Sequence, residues 1–131
     1  MDKVQIVIDT NVFVSAVKND TGASFFLLTL IGKNDFEINL SVPLLLEYEA
    51  VARRHLKQTN LNVTDLNDIL DYICSVSNRH KINYLWRPFL KDPQNDFVLE
   101  LAVKSESRHI ITFNKKDFKD ISMFGVTCRR L

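Results

Sequence analysis

The run Val4-Gln5-Ile6-Val7-Ile8, followed at once by Asp9-Thr10-Asn11, restricts the fold more than any other stretch of the chain. It is mostly β-branched and apolar, too short for a buried helix, and it stops abruptly on a carboxylate. A strand apolar on both faces belongs in a parallel sheet covered by helices on both sides, and such sheets take their ligands at the carboxyl ends of the strands. The pattern predicts a central parallel strand that delivers Asp9 to a ligand-binding edge. The same residue has a second reading, because Asp, Thr and Asn are good caps and a helix is expected to begin near Val12. The choice turns on whether other acids reach the same edge.

At 131 residues the chain is read as a single domain, 1–131, with room for one core. With 46% apolar and 25% charged residues its composition is that of an ordinary globular protein. No stretch is long and apolar enough for a membrane span or a signal sequence, so a cytoplasmic location is expected. Cys74 and Cys128 lack metal-ligand spacing and read as reduced packing residues. The formal net charge of +1 excludes a globally basic nucleic-acid binder, so binding of that kind needs a local basic patch or a metal ion facing the phosphates.

Beyond Asp9, the apolar residues from Val12 to Val17 continue as a short helix, and the dense stretch Ala23 to Gly32 predicts a second helix. Phe36 to Leu40 alternates with period two and predicts the second strand. Ser41-Val42-Pro43 then starts a helix expected from Leu44 to about Leu56, with Leu45, Tyr48 and Ala52 on its buried face. Glu47, about one turn in, is a second acid near a strand's carboxyl end; the plainer reading is a first-turn carboxylate favoured by the helix dipole, as for Glu49. A structural helix opens at Thr64-Asp65, and His80 to Trp86 predicts a short third strand. Asp92-Pro93 starts another helix with Asp92 as its cap, and Asp96, one turn on, is the third acid. His109 to Thr112 reads as a strand with Asn114 and Asp117 just past its end, and Gly125 to Arg130 as the last strand.

The right-handed crossover rule brings Asp9, Glu47, Asp96 and either Asn114 or Asp117 to one edge of one sheet. Crowded carboxylates repel and are stable together chiefly when a cation neutralises them, so neutralising Asp9 or Asp96 is expected to leave metal-free stability unchanged or to raise it. Such oxygen ligands suit Mg²⁺ or Mn²⁺. One ion there activates water, and a second about 3.5 to 4 Å away stabilises a leaving oxygen, which is the chemistry of phosphodiester hydrolysis. No Ser, Cys or His constellation competes with this.

These segments together resemble the PIN domain family, and within it the toxin (VapC-like) ribonucleases of toxin–antitoxin systems. The resemblance rests on the opening strand ending Asp9-Thr10-Asn11, on Leu44-Leu45-Leu46-Glu47-Tyr48, on Asp92-Pro93-Gln94-Asn95-Asp96 and on Ile111 to Phe118, and it covers the whole chain. It implies a three-layer α/β/α sandwich with a mainly parallel sheet of four to five strands. It also implies Mg²⁺- or Mn²⁺-dependent ribonuclease activity, a homodimer and an antitoxin protein as partner. Asp9, Glu47 and Asp96 carry over as metal-binding acids, with Thr10, Asn11 and Asp92 in support. At the fourth place Asn114 stands where many relatives have aspartate, which leaves Asn114 and Asp117 as alternative ligands and puts a second metal in question. Arg53, Arg54, Lys115 and Lys116 are candidates for RNA contacts.

Two other enzyme classes fit less well. A response-regulator receiver needs a neighbouring acid pair and a phosphoacceptor Asp after a middle strand, and a haloacid-dehalogenase-type phosphatase needs Asp where Asn11 stands. The competing function is a catalytically weak or inactive PIN-like module that binds RNA or a protein partner.

Overall fold

The computed structural model describes residues 3–19, 22–29, 36–81, 90 and 93–130. Five strands, β1 (Val4–Ile8), β2 (Phe36–Ser41), β3 (Asn78–His80), β4 (His109–Thr112) and β5 (Thr127–Arg130), form one sheet in the order β3-β2-β1-β4-β5, with every neighbouring pair parallel. Among them run α1 (Thr10–Lys18), α2 (Ala23–Thr29), α3 (Val42–Arg54), α4 (Val63–Val76) and α5 (Pro93–Lys104). The α/β sandwich read from the sequence is the observed one.

Strand order and handedness fix the layers. The chain steps from β1 to β2 to β3 in one direction and then returns across the sheet to β4; right-handed crossovers therefore place α1 to α4 on one face and α5 on the other. Helix α5 packs on β1, β2 and β4 accordingly. Side chains alternate between the two faces. Ile6, Ile8, Ile38 and Leu40 share one face, Val7, Asn39 and Ile110 the other, and all seven are buried. The core thus lies on both sides of β1, as a strand apolar on both faces requires.

The starts of the helices follow local chemistry. Ser41 caps α3 by accepting from the Leu44 amide at 3.3 Å, and Asn62 and Asp65 close a reciprocal capping box on α4. The buried face of α3 is Leu44, Tyr48 and Ala52, with Leu45 half-buried against the core, so Tyr48 and Ala52 are as read in the sequence and Leu44 joins them.

The third strand also differs. β3 is Asn78–His80, three residues lying beside Asn39 to Ser41, and Lys81 is already outside it; residues 82–89, with Trp86 and the rest of the expected strand, lie outside the described residues, as do Gly32 and Asp92. The reason is polar rather than apolar. Asn78 Nδ2 donates to Gln5 Oε1 at 2.9 Å, Asn39 Nδ2 donates to the same oxygen at 2.9 Å, and His80 Nε2 meets Asn39 Oδ1 at 2.7 Å. This edge strand is recruited by amide side chains, which hydrophobic alternation does not detect.

Candidate active site

Asp9 ends β1 and caps α1 at the same time. Its Oδ1 accepts from the Thr10 amide at 2.9 Å, and its Oδ2 accepts from the Thr112 hydroxyl at 2.7 Å. The two readings of this residue are therefore compatible, since capping employs one oxygen and the end of β4 engages the other. The register makes this inevitable: Ile8 lies beside Ile111, so the next residues along, Asp9 and Thr112, meet at the carboxyl edge on the same face. Both are buried.

Thr112 is a hub that sequence reading passed over as a strand end. While donating to Asp9, its Oγ1 accepts from the Asn114 amide at 3.1 Å and from Asn11 Nδ2 at 3.4 Å; Asn11 Oδ1 accepts from the Phe113 amide at 3.4 Å. Asn11 and Asn114 are so bound to the same corner as Asp9. Only the hydroxyl after a short apolar strand signals this in the sequence. Asp117 stands in the 3₁₀ turn Lys115–Phe118, its amide bonded to the Asn114 carbonyl at 3.1 Å, so the two candidates for the fourth ligand lie one tight turn apart, and both are exposed.

Tyr48, next to Glu47 on α3, is the second residue missed. Its hydroxyl donates to the carbonyl of Ile8, immediately before Asp9, and its ring stacks on Phe13 of α1 with centroids 4.5 Å apart and planes 11° from parallel. Burial, followed by the negative charges of Asp9 and Glu47, pushes its phenol pKa well up, so it stays a proton donor. Both acids therefore lie within electrostatic reach of one hydroxyl.

Asp96 is half-buried in the first turn of α5, and its Oδ1 accepts from the Leu90 amide at 2.9 Å, which ties the approach to α5 onto the helix. The helix also touches the Lys115–Phe118 turn, and as the crossover between parallel strands β3 and β4 it starts on the strands' carboxyl side. Among the cations, Lys115 and Lys116 are exposed directly beyond β4, and the field of Lys115 reaches Cys128 on β5, as does that of Asp9; burial, the larger effect, raises that thiol's pKa. Arg53 and Arg54 close α3, about 18 Å along the helix axis from its start at the edge.

The donor set can be tested against a divalent cation. Its oxygens are of the hard kind, and beside Asp9 the Thr10 hydroxyl is buried with no hydrogen-bond partner among the described residues. Yet no group of three or more His, Cys, Asp or Glu side chains among those residues stands ready to hold a metal. An ion that takes one or two carboxylates and keeps its waters, as Mg²⁺ does, needs no closed protein cage.

An acid delivered by a central parallel strand and gripped by the neighbouring strand's terminal hydroxyl defines an α/β protein with a polar edge site. A family profile described as PIN domain matches residues 5–116, and the chain belongs to that family. No curated protein matches it. Among solved structures it is similar to a chain of the crystal structure of VapBC2 from Rickettsia felis bound to a DNA fragment from their promoter, with a TM-score of 0.64 and 17% identity over 98% of this chain and 99% of that one. At that identity the likeness shows the fold.

Proposed function

We propose that the protein is a cytoplasmic, Mg²⁺- or Mn²⁺-dependent ribonuclease that hydrolyses RNA phosphodiester bonds and is the toxin of a toxin–antitoxin pair. The observation that carries this reading is the Asp9–Thr112 hydrogen bond at the carboxyl edge of the sheet, in a chain of a family whose proteins are nucleases. No described helix is long and apolar enough to cross a membrane.

In this reading Asp9, Glu47, Asp96 and Asp117 are the metal-binding acids, with Asn114 as the alternative to Asp117 and with Thr10, Asn11 and Asp92 in support. A bound divalent ion supplies an activated water and charge neutralisation for the phosphate. The chain's own groups do the positioning. Thr112 fixes one carboxylate oxygen of Asp9 by donating to it, the Thr10 amide fixes the other, and Lys115 and Lys116 attract the RNA backbone to the edge. Asp9→Asn keeps shape and removes charge, and is expected to abolish cleavage, as is a chelator. RNA cutting that survives chelation removes the metal mechanism.

The partner reading is supported by the VapBC2 complex of the structural neighbour and by an apolar groove of about 480 Å³ that Val17, Phe25, Leu28, Ile69 and Tyr72 help to line between α1, α2 and α4. Phe25 and Tyr72 are exposed there, as an apolar segment of an antitoxin requires. The homodimer reading is supported by Val42 and Leu46, exposed four residues apart on α3. The competing function is a PIN-like module without catalysis that binds RNA or a protein partner. Purified protein that binds RNA but neither binds Mn²⁺ nor cuts would establish it.

A further inference from the structure

Tyr48 touches the Asp9 corner from both directions along the chain. Upstream, its hydroxyl donates to the carbonyl of Ile8; downstream, its ring stacks on Phe13, whose amide bonds the Asp9 carbonyl at 3.3 Å. Its own helix carries Glu47 as the adjacent residue. The side chain is 3% exposed, so both contacts are made in the core, where an alternative partner from solvent is not at hand. The geometry points to Tyr48 as a positioning residue that sets where Asp9 stands relative to Glu47.

Strand β2 leads into α3 through the Ser41 cap, and β1 leads into α1 through the Asp9 cap, so each acid is held within its own strand–helix unit. A helix lying on a sheet can slide or rotate by a fraction of a turn without breaking its internal bonds. The Tyr48 hydroxyl removes that freedom, because it ties α3 to the last carbonyl of β1 rather than to another helix. Phe13 adds a second point of attachment on α1, and two points on opposite sides of Asp9 fix an orientation as well as a distance. A carboxylate pair that holds an ion through few ligands depends on that spacing more than a closed cage does, and partners that orient ligands in this way typically carry about 10- to 100-fold in affinity.

This inference rests on the metal-dependent reading for its effect on activity, though not for its effect on structure. The informative variant is Tyr48→Phe in the full chain, which keeps the stack on Phe13 and the packing and removes only the hydroxyl. Direct Mn²⁺ binding by calorimetry is expected to weaken about tenfold, and the Mn²⁺ concentration for half-maximal cleavage to rise in parallel, with the rate at saturating Mn²⁺ little changed. In an Asp9→Asn background the substitution is expected to add nothing. Amide hydrogen exchange at residues 9–12 is expected to accelerate in Tyr48→Phe with or without metal. Wild-type Mn²⁺ affinity together with unchanged exchange in the variant overturns the assignment, whatever happens to its melting temperature. If wild-type protein binds no Mn²⁺ while the exchange difference is present, the positioning role stands and the metal reading fails.

Discussion

At Asp9 two roles share one carboxylate, and their energetics separate by substitution. Removing the side chain with Asp9→Ala forfeits the α1 cap, worth about 1 kcal/mol, and leaves the Thr112 hydroxyl without this acceptor, so a lower melting temperature is expected in calorimetry. The structure puts hydrogen-bond donors against both oxygens, which opposes the repulsion that neutralising the acid is expected to relieve. Thr112→Val keeps the volume but deletes the hydroxyl that meets Asp9, Asn11 and Asn114. Cleavage is expected to fall about tenfold or more, near 1.4 kcal/mol, with recovery in Thr112→Ser; a valine variant as active as wild type removes Thr112 from the site. For the fourth ligand, Asp117→Asn is expected to lower metal-dependent cleavage by about tenfold or more, and further than Asn114→Ala does. Asp117 lies inside the 3₁₀ turn that Asn114 precedes, one tight turn further along the chain. Titrating Mn²⁺ against rate for both variants decides it, and a dead Asn114→Ala beside a normal Asp117→Asn gives the place to asparagine.

At the scale of elements, β3 is attached to the sheet through Gln5, Asn39, Asn78 and His80, and Asn39 also donates to Ser107 Oγ at 3.2 Å just after α5. Such a network is stable only while every member keeps its partner. Burial, and then the charge of Lys104, hold the His80 pKa below its usual 6.5. The unfolded chain takes up that proton more readily, so this contribution to stability is complete above the unfolded value and is lost as pH falls below about 6.5 toward the folded value. His109 is lowered too, by burial and then by Arg129 and Arg108, and it acts in the same direction. The melting temperature is expected to decline from pH 7.5 to 5.5. His80→Gln can keep a donor to Asn39 Oδ1 without titrating, and should flatten part of that decline. An identical pH slope in the variant would assign the loss to other groups.

For the whole molecule, a cation that binds only the folded chain stabilises it by mass action, about 2.7 kcal/mol at one hundred times its dissociation constant. Adding Mn²⁺ to chelator-treated protein is therefore expected to raise the melting temperature, and to do so much less in Asp9→Asn. A shift of equal size in both proteins would place the ion elsewhere. The sequence by itself determined the strand that ends on Asp9, the period-two pattern of β2, the proline-marked start of α3 and the short apolar run of β4, because each is written in neighbouring residues. Their order, with the crossover rule, was enough to give the parallel sheet and to direct Asp9, Glu47 and Asp96 toward its carboxyl side. Only the tertiary structure decided that Asp9 is gripped by Thr112, 103 residues away, that Tyr48 reaches from α3 to the end of β1, and that β3 is a polar edge of three residues. Those are contacts between side chains far apart in the chain, set by strand register and helix rotation. A shift of one residue in either would break them while leaving every local pattern in the sequence intact.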